Sequence, residues 1–147
     1  MEIIAKDFAS LSCDELYEIL RLRAEIFVVE QECAYQDLDG IDRFAYHVYA
    51  KEGNEMLGCL RVINKGDRLE EVSIGRVVSK KRRCGVGRKM MEKGFEIAKE
   101  KFNASCVVVG AQVRAKAFYE SVGFFQINDE YLEDGIEHIY MRRELPN

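Results

Sequence analysis

The sequence predicts an α/β fold built on one mixed sheet with helices on both faces. Three observations carry that expectation. The apolar residues change period along the chain, from two to about 3.6 and back, in the order β-α-β-β-β-α-β-α-β-β. "SCVVVG" (105–110) is a short continuous apolar run, the pattern of a strand buried on both faces. A basic, glycine-containing stretch, "KKRRCGVGRKMM" (80–91), stands between a β-rich run and a helical one.

The elements follow in order. Glu2 to Lys6 reads as the first strand. Ser12 opens a capping box with Glu15, and Leu16, Ile19, Leu20 and Phe27 recur at helical spacing, so a helix is expected from Asp14 to Glu30. "QECAYQDLDGIDR" (31–43) is a polar, acidic loop, longer than a connection needs, which points to a binding role. Ala45 to Lys51 and Met56 to Asn64 form a hairpin turned by Glu52-Gly-Asn-Glu55, and Glu71 to Ser79 is a third β-rich run.

A helix is expected from Gly87 to Phe102, with Met90, Met91, Phe95 and Ala98 on one face. The buried strand at 105–110 comes next, then a short helix from Ala115 to Ser121. Strands at Gly123 to Asn128 and Glu137 to Arg143 close the chain, with Glu133-Asp-Gly135 turning between them. There is no repeat, low-complexity tract or linker, so residues 1–147 read as a single domain.

Composition narrows the function. Hydrophobic content of 48% and charged content of 33% describe a globular chain. Net charge is 22 − 26 = −4, against the basic face that general nucleic-acid binding needs. The basic stretch is local and suits a small polyanion. No apolar run approaches the ~18 residues of a membrane span, and the N-terminus lacks the pattern of a signal peptide. Cys13, Cys33, Cys59, Cys84 and Cys106 contain no Cys-x-x-Cys pair, and only two histidines are present. A zinc site is not expected, and a reducing cytoplasm is. "DLDGID" (37–42) places its glycine too early for an EF-hand loop, so no metal is assigned.

The basic stretch can hold phosphate. A helix N-terminus offers unpaired N–H groups and partial positive charge, and glycine lets the backbone come close. Two common phosphate motifs fail. Gly87 is followed by Arg88-Lys89-Met90, not Lys-Ser/Thr, and Gly85-Val-Gly87-Arg-Lys-Met90 lacks the third glycine of the dinucleotide fingerprint. What remains is Arg82-x-x-Gly85-x-Gly87.

Further on, "AQVRAKAFYESVGF" (111–124) puts Phe118 and Tyr119 on a short helix ending at Gly123. With the strand order, these two motifs resemble the GNAT acetyltransferase superfamily. Arg82, Gly85 and Gly87 match its phosphate loop. Ala115, Phe118, Tyr119, Gly123 and Phe124 match its later motif, with Gln112 where the family often has Asn. "FVVEQ" (27–31), "YQDLDG" (35–40), "IGRV" (74–77), "GAQ" (110–112) and "EDGIEHI" (133–139) look like its ElaA-like branch, although Ala34 stands where that branch commonly has Pro.

That resemblance implies a mixed sheet splayed between two parallel strands, Glu71 to Ser79 and Ser105 to Gly110. It implies acetyl-CoA as donor and an amine as acceptor. Arg82, Arg83, Cys84, Gly85, Val86, Gly87 and Arg88 would hold the coenzyme pyrophosphate. Val77 and Val78 would pair with the pantetheine arm, Gln112 and Phe118 would complete the coenzyme site, and Tyr119 would be the general acid. Phe27, Glu30, Gln31, Tyr35 and His138 fall on the acceptor side. A homodimer is common among such folds.

Several points stay open at this level. The base that deprotonates the acceptor is one of Glu30, Glu71, His47, His138 or a water chain. His47 and His138 are more simply half-exposed strand histidines. Asp37, Asp39, Asp42, Glu133 and Asp134 could attract a cation, but solvated loop charge is the simpler expectation. Tyr119 has a plain alternative as a core residue. Cys84, beside arginines, is simplest as a small residue of the loop rather than a reactive thiol. A CoA-binding module without turnover is the rival function.

Overall fold

The computed structural model describes residues 1–80 and 85–146. The expectations for Arg82, Arg83 and Cys84 lie outside the described residues. The elements are β1 (Glu2–Asp7), α1 (Cys13–Arg23), β2 (Tyr46–Glu52), β3 (Glu55–Ile63), β4 (Ser73–Ser79), α2 (Val86–Phe102), β5 (Cys106–Gln112), α3 (Lys116–Ser121), β6 (Phe125–Gln126), β7 (Tyr131–Glu133) and β8 (Ile136–Glu144). The strands form one sheet in the order β1-β2-β3-β4-β5-β8-β6, with β7 also paired to β8. Every pairing is antiparallel except β4 with β5.

Side-chain alternation sends the two faces of the sheet to different cores. Val48, Leu60 and Val62 point to the larger core, where Met90, Met91, Phe95 and Ala98 of α2 meet them as the helical spacing predicts. Tyr49, Cys59 and Val78 point the other way, onto Ile19 and Leu22 of α1. α1 begins at the expected capping box. Ser12 Oγ accepts from the Glu15 amide at 3.1 Å, and Glu15 accepts from the Ser12 amide at 2.7 Å.

Two expectations are corrected. The helix from Asp14 to Glu30 is α-helical only as far as Arg23; Ala24–Glu30 winds as a π-helix, with the Gln31 amide bonded to Ile26 O and the Cys33 amide to Val28 O. The wider winding re-aims the side chains that follow, a device common beside functional sites. The strand at Gly123 to Asn128 shrinks to Phe125–Gln126, and the turn at Glu133-Asp134-Gly135 joins β7 to β8 instead. Asp134 and Gly135 carry the positive φ values, 51° and 78°, of a tight hairpin turn.

The parallel pair is short. Ser73 lies opposite Val108 and Ile74 opposite Val109; beyond these β4 and β5 separate. β4 is bulged where it leaves: Cys59 pairs with Val78 and Arg61 with Gly75, so Arg76 and Val77 together face Leu60. Arg76 takes φ of 50° there.

Candidate active site

The separation of β4 from β5 opens a cleft of about 1590 Å³. One end is built by α2. Gly85 sits at its N-cap with φ of 75°, a left-handed conformation that favours glycine. The first intrahelical bond runs from the Lys89 amide to Gly85 O, so the amides of Val86, Gly87 and Arg88 have no acceptor within the helix. Among the described residues no side chain caps them. Gly87 is needed for close approach: a Cβ there would lie 3.1 Å from the Phe118 ring. Arg88 Nη2 donates to Ser121 O at 3.0 Å and ties this helix start to α3.

Val77, Val78, Gly85, Val86, Gly87, Arg88, Gln112, Phe118 and Tyr119 all line the cleft. Phe27, Glu30, Gln31, Tyr35 and His138 line it as well. Residues named from six separated stretches of sequence thus line one cleft. Tyr119 is 7% exposed and packs edge-on against Phe118 and Phe124. Burial raises its phenol pKa. Its hydroxyl has no hydrogen-bond partner among the described residues, which leaves the O–H free to donate into the cleft.

The loop between the π-helical turn and β2 is held by buried charge. Arg23 is 1% exposed and donates to Asp42 Oδ1 at 2.7 Å and to Asp37 Oδ2 at 3.0 Å. Arg61 donates to Asp39 Oδ2 at 2.7 Å and pairs with Asp42 at 3.1 Å. Arg76, turned outward by the bulge, pairs with Asp37 Oδ1 at 2.8 Å and lies over the Tyr35 ring at 5.5 Å. Tyr35 donates to Asp37 Oδ1 at 3.0 Å. Burial alone would raise Asp39 and Asp42; the hydrogen bonds and charge of Arg61 on Asp39, and of Arg23 and Arg61 on Asp42, outweigh it and hold both below the usual carboxylate range.

This network corrects the expectation of solvated loop charge at Asp37, Asp39 and Asp42: the first and last are 5% and 7% exposed, and all three are neutralised by arginine. They are committed partners, not free charges for a cation. Arg23 stands four residues after Ile19, on the buried stripe of α1, and that spacing is the signal that could have found it. The bulge at Arg76 and the π-helical turn have no comparable sequence signature.

The candidate bases separate as well. His47 is 1% exposed, not half-exposed; its Nε2 donates to Asp42 O at 2.8 Å, its Nδ1 is buried without a partner among the described residues, and it lies off the cleft. Burial lowers its pKa. Glu71 also lies off the cleft, where it accepts from Cys106 Sγ. Glu30 is exposed on the cleft rim. His138 is 7% exposed, again more buried than expected, and faces the cleft with Glu133 3.5 Å from its Nε2. Among the described residues no group of three or more His, Cys, Asp or Glu is arranged to hold a metal ion.

A sheet parted between two parallel strands, with a helix N-terminus at the gap, is the architecture of a CoA-dependent acyltransferase fold. Residues 15–145 match the family model of the acetyltransferase (GNAT) domain, and the chain belongs to the GNAT acetyltransferase family. Within it, the chain is 39% identical to protein ElaA of Escherichia coli, across 93% of this chain and 92% of that protein. It is 42% identical to a UPF0039 protein of Schizosaccharomyces pombe, across 99% of this chain and 98% of the relative. An acyl-CoA N-acyltransferase from Pseudomonas aeruginosa superposes with a TM-score of 0.89 at 38% identity, covering 97% of this chain and 99% of that one. The crystal structure of Escherichia coli ElaA superposes equally well, with a TM-score of 0.89 at 36% identity, covering 98% of this chain and all of that one.

Proposed function

We propose that the chain, as a single domain over residues 1–147, transfers an acetyl group from acetyl-CoA to an amine. The observation that carries this reading is the shared cleft. The free amides at the start of α2, the parted edge of β4 and Tyr119 all open into it. The P. aeruginosa structure, of an acyl-CoA N-acyltransferase, supports the same chemistry.

The residues would divide the work as follows. The amides of Val86, Gly87 and Arg88 bind the pyrophosphate, together with Arg82, Arg83, Cys84 and Gly85 of the preceding loop. Val77 and Val78, on a strand edge that β5 has released, offer backbone N–H and C=O groups to the amide-bearing pantetheine arm. Gln112 and Phe118 close the opposite wall. Amine attack on the thioester carbonyl develops an oxyanion, which the Val77 N–H at the bulge would stabilise by roughly 3 kcal/mol. Tyr119 donates its proton to the departing thiolate. Buried, uncharged and without a competing acceptor, it holds that proton until the thiolate appears.

Phe27, Glu30, Gln31, Tyr35 and His138 bound the acceptor end. The reading places the protein in the cytoplasm, free of nucleic acid and membrane, and leaves room for a homodimer. Among the described residues no helix is long and apolar enough to cross a membrane. Calorimetry with acetyl-CoA, followed by free-thiol release with a panel of amines, tests the proposal. Binding with turnover is expected. Binding without turnover would make the chain a CoA-binding module, and absence of binding would remove both.

A further inference from the structure

Resting on the acyl-transfer reading above, we propose that His138 is the general base that takes a proton from the acceptor's ammonium group, with Glu133 as its positioning residue. His138 Nδ1 lies 2.7 Å from Ile136 O. A carbonyl oxygen only accepts, so Nδ1 carries the hydrogen and donates it. In the neutral imidazole Nε2 is then a bare lone pair, and the ring is locked in the tautomer a base requires.

That lone pair faces Glu133 Oε2 at 3.5 Å. Two lone-pair bearers at that distance repel unless hydrogen lies between them. A primary ammonium supplies it, with one N–H for each. The arrangement therefore selects a protonated alkylamine and then uncovers its nitrogen. Once Nε2 holds the proton, the Glu133 carboxylate stabilises the imidazolium, as a carboxylate does in other base–orienter pairs.

The surroundings keep the pair in place. From β7, Tyr131 tilts against the His138 ring at 5.8 Å and stacks on Tyr140 of β8 at 5.0 Å. Gln112 of β5 lies opposite His138 in the sheet register. Arg68 approaches Glu133 Oε1 at 3.9 Å, leaving Oε2 for His138. Cys33 Sγ donates to Asp134 O at 3.5 Å and ties the loop between the π-helical turn and β2 to the turn that carries Glu133.

The proton count closes. The ammonium gives one proton to Nε2, and the freed pair on nitrogen forms the C–N bond at the thioester carbonyl. Collapse of the tetrahedral species breaks the C–S bond. The thiolate takes the Tyr119 proton, and the phenol is restored by the proton that leaves the new amide nitrogen. His138 releases its proton to solvent.

Two measurements test this. Long-range proton–nitrogen NMR reads the tautomer without any acceptor. His138 is one of two histidines and is assigned by its loss in His138→Gln. At a pH where the ring is neutral its hydrogen is expected on Nδ1; a neutral ring with its hydrogen on Nε2 overturns the proposal.

The second compares benzylamine, an ammonium at neutral pH, with aniline, which is already unprotonated. His138→Gln should lose about 100-fold or more in kcat/KM with benzylamine and only a few-fold with aniline. Its benzylamine activity should keep climbing with the unprotonated amine fraction, where the natural protein levels off earlier. Glu133→Gln should lose about tenfold with benzylamine alone. Equal losses on both amines overturn the proposal. Calorimetry with acetyl-CoA on each protein separates the two questions. Unchanged binding shows a folded variant with its coenzyme site intact, while no binding by the natural protein would end the acyl-transfer reading itself.

Discussion

The side-chain amides of Gln31 and Gln112 exchange two hydrogen bonds, Nε2 to Oε1 in each direction, at 3.3 and 3.2 Å. Gln31 ends the π-helical turn and Gln112 ends β5, 81 positions away in sequence. Arg114 Nε adds a third bond to Gln112 Oε1 at 2.9 Å. The pair joins the end of the π-helical turn to the end of β5 along the cleft. Gln31→Ala and Gln112→Ala should each lower stability by about 1 kcal/mol, and the double variant by less than their sum. Urea unfolding of the cycle measures this; strict additivity would mean that the two amides act independently.

Tyr119→Phe removes only the hydroxyl from a buried ring. Turnover should fall about 100-fold while acetyl-CoA affinity stays within a factor of two. Stopped-flow thiol release and calorimetry separate the two effects. Unchanged turnover would take Tyr119 out of the mechanism and leave it as a packing residue against Phe118 and Phe124.

Gly87 tests the start of α2. Gly87→Ala sets a methyl group 3.1 Å from the Phe118 ring and displaces it. Gly87→Glu adds a carboxylate where a diphosphate is expected to bind. Acetyl-CoA affinity should fall a few-fold for the first and at least tenfold for the second, as read by calorimetry. Equal affinity in Gly87→Glu would place the coenzyme elsewhere.

The arginine–aspartate network should be costly to open. Arg23→Met strips its most buried partner from Asp37 and Asp42, leaving one only Arg76 and the other only Arg61, a loss of about 3 kcal/mol. Arg76→Met removes a partly exposed pair and should cost about 1 kcal/mol. Urea midpoints rank the two, and a reversed order would contradict the burial seen here.

Acid sensitivity should come in two stages. Burial keeps the His47 pKa low, so the unfolded chain, titrating near ~6.5, binds a proton that the folded chain does not. Stability therefore starts to fall as pH drops below about 6.5. Asp39 and Asp42 act lower. Their folded pKa values are depressed from about 3.9, so their contribution is full above that range and is lost as pH falls through the folded values. Urea unfolding from pH 7 to 3 should show the first stage and the onset of the second, and His47→Gln should lack the first.

Much of the fold was readable because it depends on local pattern. The capping box at Ser12 and the Met90–Met91–Phe95–Ala98 face of α2 involve residues within one or two helical turns of each other. β7 escaped because three residues, Tyr131–Glu133, are too few to show a period. The π-helical turn escaped because its apolar residues fit an α pattern equally well until the winding is seen.

The site divides the same way. The glycine loop and the Phe118-Tyr119 helix are each contiguous, so sequence names them. The charge states around them are not contiguous. Asp37 and Asp42 look like loop charge until Arg23, Arg61 and Arg76 arrive from three other elements. His138 looks like any strand histidine until Ile136 O settles which nitrogen holds its hydrogen.

The sequence by itself determined most of the elements, their order and the helix faces that are buried. These follow from spacing and backbone chemistry, which act over a few residues. Only the tertiary structure decided which carboxylates are neutralised, which histidine meets the cleft and where β4 leaves β5. Those depend on desolvation and on Coulomb partners brought within a few ångströms by folding, and distance along the chain does not encode distance in space.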